Sequence, residues 1–344
     1  MKRAAIAIAA GLACGVSYAG VSGAPAGYGH AGHMPEIDTA TVPERATPLT
    51  APKWRDANAA LYGERPAADV QGALRFTCKF SHTAWDDPLV KPNIPGGSHG
   101  HTFVGNAGVT AHTTADDLRG PGSTCAGGSV NQSAYWMPLM VDTANGAVVK
   151  PSGALMYYKC GYGLTSAECL NIKAPPPGFS MIAGNMANTE LAGPYEFKCN
   201  GNLPSYKTIP DCAAGSTLWM IVAFPQCVAV DPDGYPLRDS ADHKSHVTKP
   251  SGGKCPATHP YAIPEVTQVF QYKVLEAGEA LRWRLSSDQA GAPAGTSAHA
   301  DYWNGWDQAE FEAAIAACTA GGFNCHTNLL PPLPGTTTWR YLLH

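Results

Sequence analysis

The chain has 344 residues and a mass of 36.0 kDa, with 44% hydrophobic and only 15% charged residues. A formal charge of −4 and a pI near 6.3 exclude a strongly basic nucleic-acid binder. The 37 glycines and 29 prolines argue against coiled coils and long helical bundles, because both residues oppose helix interiors.

Lys2 and Arg3 precede the apolar run Ala4 to Cys14, and Ser17-Tyr18-Ala19 follows. A positive start, a short apolar stretch and small residues at the end predict a secretion signal over residues 1–19. The run is too short for a membrane-spanning helix of about 20 residues, and no later segment is apolar enough to span. Loss of Lys2 and Arg3 takes the formal charge from −4 to −6. Loss of Cys14 leaves ten cysteines: 78, 125, 160, 169, 199, 212, 227, 255, 318 and 325. An even set without any CxxC pair, on an exported chain, predicts disulfides rather than a zinc ribbon. Their connectivity is not readable from sequence; Cys160/Cys169 and Cys318/Cys325 are candidate local loops.

Residues 20–70, rich in Gly, Ala, Pro and Thr at their start, read as a flexible leader that holds His30 and His33, with room for a short helix around Trp54 to Tyr62. Residues 71–344 then read as a single disulfide-rich catalytic or binding domain. Its short apolar runs, at 74–78, 134–139, 155–158, 218–224 and 269–274, have strand length and composition between Gly, Pro, Asn and Asp punctuation. Near the end, Asp307 and Glu310 form a capping-box pattern, and Phe311, Ile315 and Cys318 share one helical face before Gly321-Gly322. The predicted fold is mainly β: an antiparallel, sandwich-like single domain with long loops, several disulfides and a C-terminal helix.

The chemistry-bearing residues are histidines. In Ser98-His99-Gly100-His101-Thr102, an extended strand would project His99 and His101 side by side. Two such imidazoles make half of a Zn²⁺ or Cu²⁺ site, or an acid–base pair; the competing reading is two histidines satisfied in a turn. Ser81-His82 precedes Asp86-Asp87-Pro88, where one carboxylate would orient His82 and the other cap a turn. Asp242-His243-Lys244-Ser245-His246 spaces two histidines as neighbours on a helical turn, and His299 and Asp301 stand at i, i+2. The candidate catalytic set is therefore His82, His99, His101, His246, His299, Asp86 and Asp301, with His99, His101 and His246 as the first choice of metal ligands and His299 as the alternative or additional one. Tyr135, Trp136, Trp303 and Asn304 would contact a ligand with apolar ring faces and hydroxyl edges, the competing reading being that the tryptophans are core.

These motifs in this order resemble a secreted family known mainly from fungi and bacteria, the domain-of-unknown-function family nineteen-ninety-six. The matching pieces include Phe76-Thr77-Cys78, Ser81-His82, Asp86-Asp87-Pro88, Pro95 to Asn106, Ser133 to Pro138, Met181 to Asn185, Phe224 to Cys227, Asp242 to His246 and Ser297 to Asp307. The family pattern has a bulky residue where Gly100 stands, and a Trp is missing after Cys227. Its members often sit beside carbohydrate-binding modules, so the resemblance implies work on an extracellular polysaccharide, by association only. The resulting expectation is a secreted (extracellular or periplasmic) monomeric enzyme with a His/Asp cluster, metal-assisted by Zn or Cu or metal-free. Its partner would be a polysaccharide or cell-wall glycan, with no nucleic acid and no membrane span. The alternative is a non-enzymatic metal-binding or glycan-binding protein.

Overall fold

The computed structural model describes residues 35–57 and 72–344. The predicted signal, His30 and His33 lie outside the described residues, as does the stretch 58–71. Ten strands build the two sheets that position the site: β1 (Ala73–Cys78), β2 (Phe80–Ala84), β3 (His101–Gly105), β4 (Ala134–Pro138), β5 (Gly153–Lys159), β6 (Ser180–Gly184), β7 (Tyr195–Cys199), β8 (Thr217–Ala223), β9 (Glu265–Lys273) and β10 (His299–Trp303). Every pairing is antiparallel. One sheet has the order β7-β8-β9-β5-β1 and the other β2-β3-β4-β10-β6.

The burial patterns explain how the sheets meet. β5 and β8 alternate strictly between buried and half-buried residues, which is the signature of one wet face and one dry face. Their dry side chains, among them Met156, Tyr158 and Met220, and Phe270 of β9, share one core with Val104, Tyr135, Met137, Ala300 and Tyr302 of the second sheet. β3, β4 and β10 are buried at every position. Their second face is dry as well, because the long segment between β2 and β3 and the one after β3 cover it, and Leu89, Phe103, Val109, Leu118 and Trp136 cluster there. This covered outer face of the second sheet carries the histidines.

All ten described cysteines pair: Cys78–Cys125, Cys160–Cys169, Cys199–Cys212, Cys227–Cys255 and Cys318–Cys325. Both candidate local loops are among them. The helix at the end spans Gln308–Ala314 and runs on as a wider π turn over Ile315–Thr319. Asp307 caps it by accepting the Glu310 N–H at 3.1 Å. The reciprocal half of the box is not made: Glu310 is drawn instead into a buried pair with Arg340.

The described part of the 20–70 segment lies along the domain. Asp38 N–H donates to Gly146 at 2.8 Å, Ala46 N–H to Ser81 at 2.7 Å, and Leu49 N–H to Ser123 at 2.9 Å. Trp54–Ala57 is a strand paired with Trp339–Leu342 rather than the start of a helix. Pairing with the C-terminal segment satisfies these backbone groups across the chain, which overrides local helix preference.

Gly100 shows why a small residue starts the site. A Cβ there would lie 2.3 Å from Leu139 Cδ1. We expect Gly100→Val to cost about 1–3 kcal/mol by overpacking, read as a lower urea midpoint.

Candidate metal centre

Register builds the centre. His101 on β3 stands opposite Pro138 on β4, and Asp301 on β10 stands opposite Trp136 two residues earlier. That places His299 at the level of Pro138 on its other side, two strand spacings from His101, or roughly 10 Å between backbones. Both imidazoles lean over the proline, and their ring centroids come to 6.0 Å. His99 enters from the bend before β3, its ring 4.2 Å from that of His101 and 5.0 Å from that of His299. One nitrogen from each of the three lies within 4.8 Å of the others.

The backbone sets which nitrogen each ring presents. His101 Nδ1 bonds the Asp86 carbonyl at 3.1 Å, and His299 Nδ1 bonds the Ser297 carbonyl at 2.8 Å. A carbonyl accepts only, so both Nδ1 atoms carry hydrogen and both Nε2 lone pairs face the centre. Ser297 is fixed in turn by Asp288, which accepts from its hydroxyl at 2.7 Å. His99 is bonded at neither nitrogen although both are buried. A buried polar group left unpaired costs about 1–3 kcal/mol, so a ring in this state calls for a ligand.

Burial also keeps the rings neutral. It is the main cause that pushes His101 and His299 down to about 4 and His99 well below its ordinary value, with mutual repulsion adding for His99 and His299. Three neutral imidazoles facing one point, with one side open, suit a four-coordinate Zn²⁺ or a Cu²⁺ that keeps a position for water or substrate.

The open side is a cavity of about 540 Å³, whose wall includes His99, His299, Asp87, Asp301, His243 and Lys244. Asp301 projects from the same strand face as His299; its two carboxyl oxygens are buried without a hydrogen-bond partner. Burial first, and then the Asp87 charge, push this carboxyl well above the usual range.

The structure separates the other expected site residues from this cluster. His246, expected among the metal ligands, is held elsewhere, with Nδ1 on the Ser240 hydroxyl and Nε2 on the Ser180 carbonyl, both at 2.8 Å. Its place is taken by His299. His82 bonds Ser81 and Val109 through its two nitrogens and stacks on Phe103 at 4.6 Å. Asp86 does not orient His82: its carboxylate accepts the Gly96 and Ala111 N–H groups, and it is its carbonyl that orients His101. Tyr135 faces the inner core, bonded to Tyr158 at 2.6 Å, and Trp136 is fully buried. Trp303 Nε1 donates to Gly178, and Asn304 donates to Pro175 and Pro176. None of these four lines the cavity.

His99 and His101 also meet differently from the expectation. The strand starts at His101, so His99 approaches from a bend rather than as its i−2 strand neighbour. Among the cavity residues outside the candidate set are Asp87 and His243. Asp87 is buried in the wall. His243 sits in the left-handed region at φ 55 and is held by Asp239 at 2.8 Å, which raises its pKa. The 242–246 motif is therefore a turn and not a helix, with its N–H groups collected by the Asp242 carboxylate. The one available signal was Asp239, four residues before His243.

The profile of a family described as "Domain of unknown function (DUF1996)" matches residues 87–306, which carry all three converging histidines and the three carboxyls of the cavity wall. No curated protein and no solved structure matches the chain.

Proposed function

The chain belongs to the DUF1996 family, and on that footing we propose an exported metalloprotein in which His99, His101 and His299 hold one Zn²⁺ or Cu²⁺ at the cavity wall. The ion, with Asp301 beside it, works on an extracellular polysaccharide or cell-wall glycan. The observation that carries the reading is His99: both of its ring nitrogens are buried and unbonded, between two imidazoles whose Nε2 atoms face it. The ion would act as a Lewis acid and lower the pKa of a bound water. The protein supplies three neutral donors, fixed tautomers and a walled space. Export is supported by five disulfides, which persist in oxidising compartments. Among the described residues no helix is long and apolar enough to cross a membrane. The glycan assignment draws on the sequence resemblance and on a cavity within the usual size range of small-ligand sites.

The test is metal analysis of the full chain after chelator treatment and reloading. We expect one Zn²⁺ or Cu²⁺ per chain, lost in His99→Ala, His101→Ala and His299→Ala and kept in His246→Asn. A chain that takes up neither ion, or a His246 variant that alone loses it, sinks the assignment. Product release from a polymer by the loaded chain, absent from His99→Ala, separates catalysis from plain metal binding.

A further inference from the structure

The cavity wall has a donor–acceptor imbalance. Several of its donors are spent on the protein itself. Lys244 Nζ donates to the Gly184 carbonyl at 2.8 Å, the Gln289 amide to Met186 and Ser287, and the Ser287 hydroxyl pairs with Ser297. Of its three carboxyls, Asp242 collects the donors of its own turn, whereas Asp87 and Asp301 keep unspent oxygens. Asp87 is buried, and through Oδ1 alone it accepts the Leu89 and Val90 N–H groups, at 3.1 and 2.9 Å, closing the turn after β2. Its Oδ2 carries no such bond. Asp301 adds two buried oxygens with no partner.

Buried carboxyl oxygens without partners are costly, and a wall that holds them selects a ligand that brings its own hydrogen-bonding groups. Hydroxyls and ammonium groups both qualify. Lys91, Lys244 and the Asp239-held His243 line the same cavity and disfavour a cation. We propose that Asp87 and Asp301 are the ligand-binding carboxyls of this cavity, gripping a neutral sugar ring through its hydroxyl groups beside the three histidines. This deepens the glycan reading above and rests on it. It assigns a role to Asp87, which works through Oδ2 while Oδ1 holds the turn.

The two oxygens of Asp87 make the test clean. Asp87→Asn keeps an oxygen for Leu89 and Val90 and replaces the free acceptor by a donor. Asp301→Asn removes no bond within the protein. Calorimetry on the full chain, Zn²⁺-loaded and chelator-stripped, would use cellotetraose, laminaritetraose and chitotetraose, with putrescine as the cationic probe. We expect at least one tetrasaccharide to bind once per chain. Each variant should weaken it tenfold or more, with metal content and melting temperature unchanged. Sugar binding that persists in the stripped chain and still needs both carboxyls supports this assignment while removing the ion from recognition. The proposal is overturned if no tetrasaccharide binds, if putrescine alone binds, or if both variants bind as the wild type does. Loss of metal in His99→Ala is read separately, so failure of the metal centre and failure of the carboxyl pair are distinct results.

Discussion

Trp136→Ala is expected to destabilise the protein by about 3–5 kcal/mol, the range for deleting a fully buried large aromatic side chain. Trp136 is 0% exposed and lies in the cluster on the covered face of the second sheet, stacked on Phe103 with centroids 5.4 Å apart. Its truncation leaves a void under the segments that bring His99 in from the bend, two residues along β4 from the proline over which His101 and His299 lean. The expected readings are a large drop in urea midpoint for the metal-free chain and weaker retention of metal. A variant of near wild-type stability that only loses glycan binding would restore the stacking role that composition suggested.

Acidification should cost nearly as much through one residue that is not a metal ligand. Burial, aided by the Arg45 charge, lowers His82 from 6.5 to about 3. In the unfolded chain it takes up a proton as pH falls through 6.5, while the folded chain holds it neutral. The unfolded state then binds more protons, so stability falls with pH between about 6.5 and 3. At pH 5 the cost from His82 alone is about 2 kcal/mol. His99, His101 and His299 are lowered in the same direction and steepen the loss in the metal-free chain. Against a typical total of about 5–15 kcal/mol, the stripped protein should unfold in mild acid. Urea midpoints at pH 7 and pH 5 check this, and His82→Gln should flatten the slope. An unchanged slope in that variant would show that His82 is not held neutral by the fold.

The strands were legible because short apolar runs between turn residues carry a local signal, and the C-terminal helix because Asp307 and the Phe311, Ile315, Cys318 face do the same. Two local disulfides were legible from spacing. That histidines would cluster was legible, but not which of them do. Sequence can show that His299 and Asp301 share a strand face. It cannot show that only β4 separates β10 from β3, which is a matter of sheet order, and His299 therefore stood as an alternative while His246 was preferred. The aromatic residues misled because Tyr135 and Trp136 point to opposite faces of β4, and both faces of that strand are dry. No period-two pattern distinguishes such a strand from one with a wet, ligand-binding face. Asp87 was passed over because its capping of a turn and its place in a cavity wall are the same side chain seen from two directions.

Cys78–Cys125 ties off the 47-residue stretch that brings His99 and His101 to the centre, whereas His299 arrives on a strand far downstream. Loop-closure entropy puts the constraint at about 4 kcal/mol. A reducing compartment would therefore slacken two of the three donors together and leave the third behind. On the proposed reading, disulfide formation would come before metallation, and a chain held in a reducing compartment would keep copper or zinc poorly.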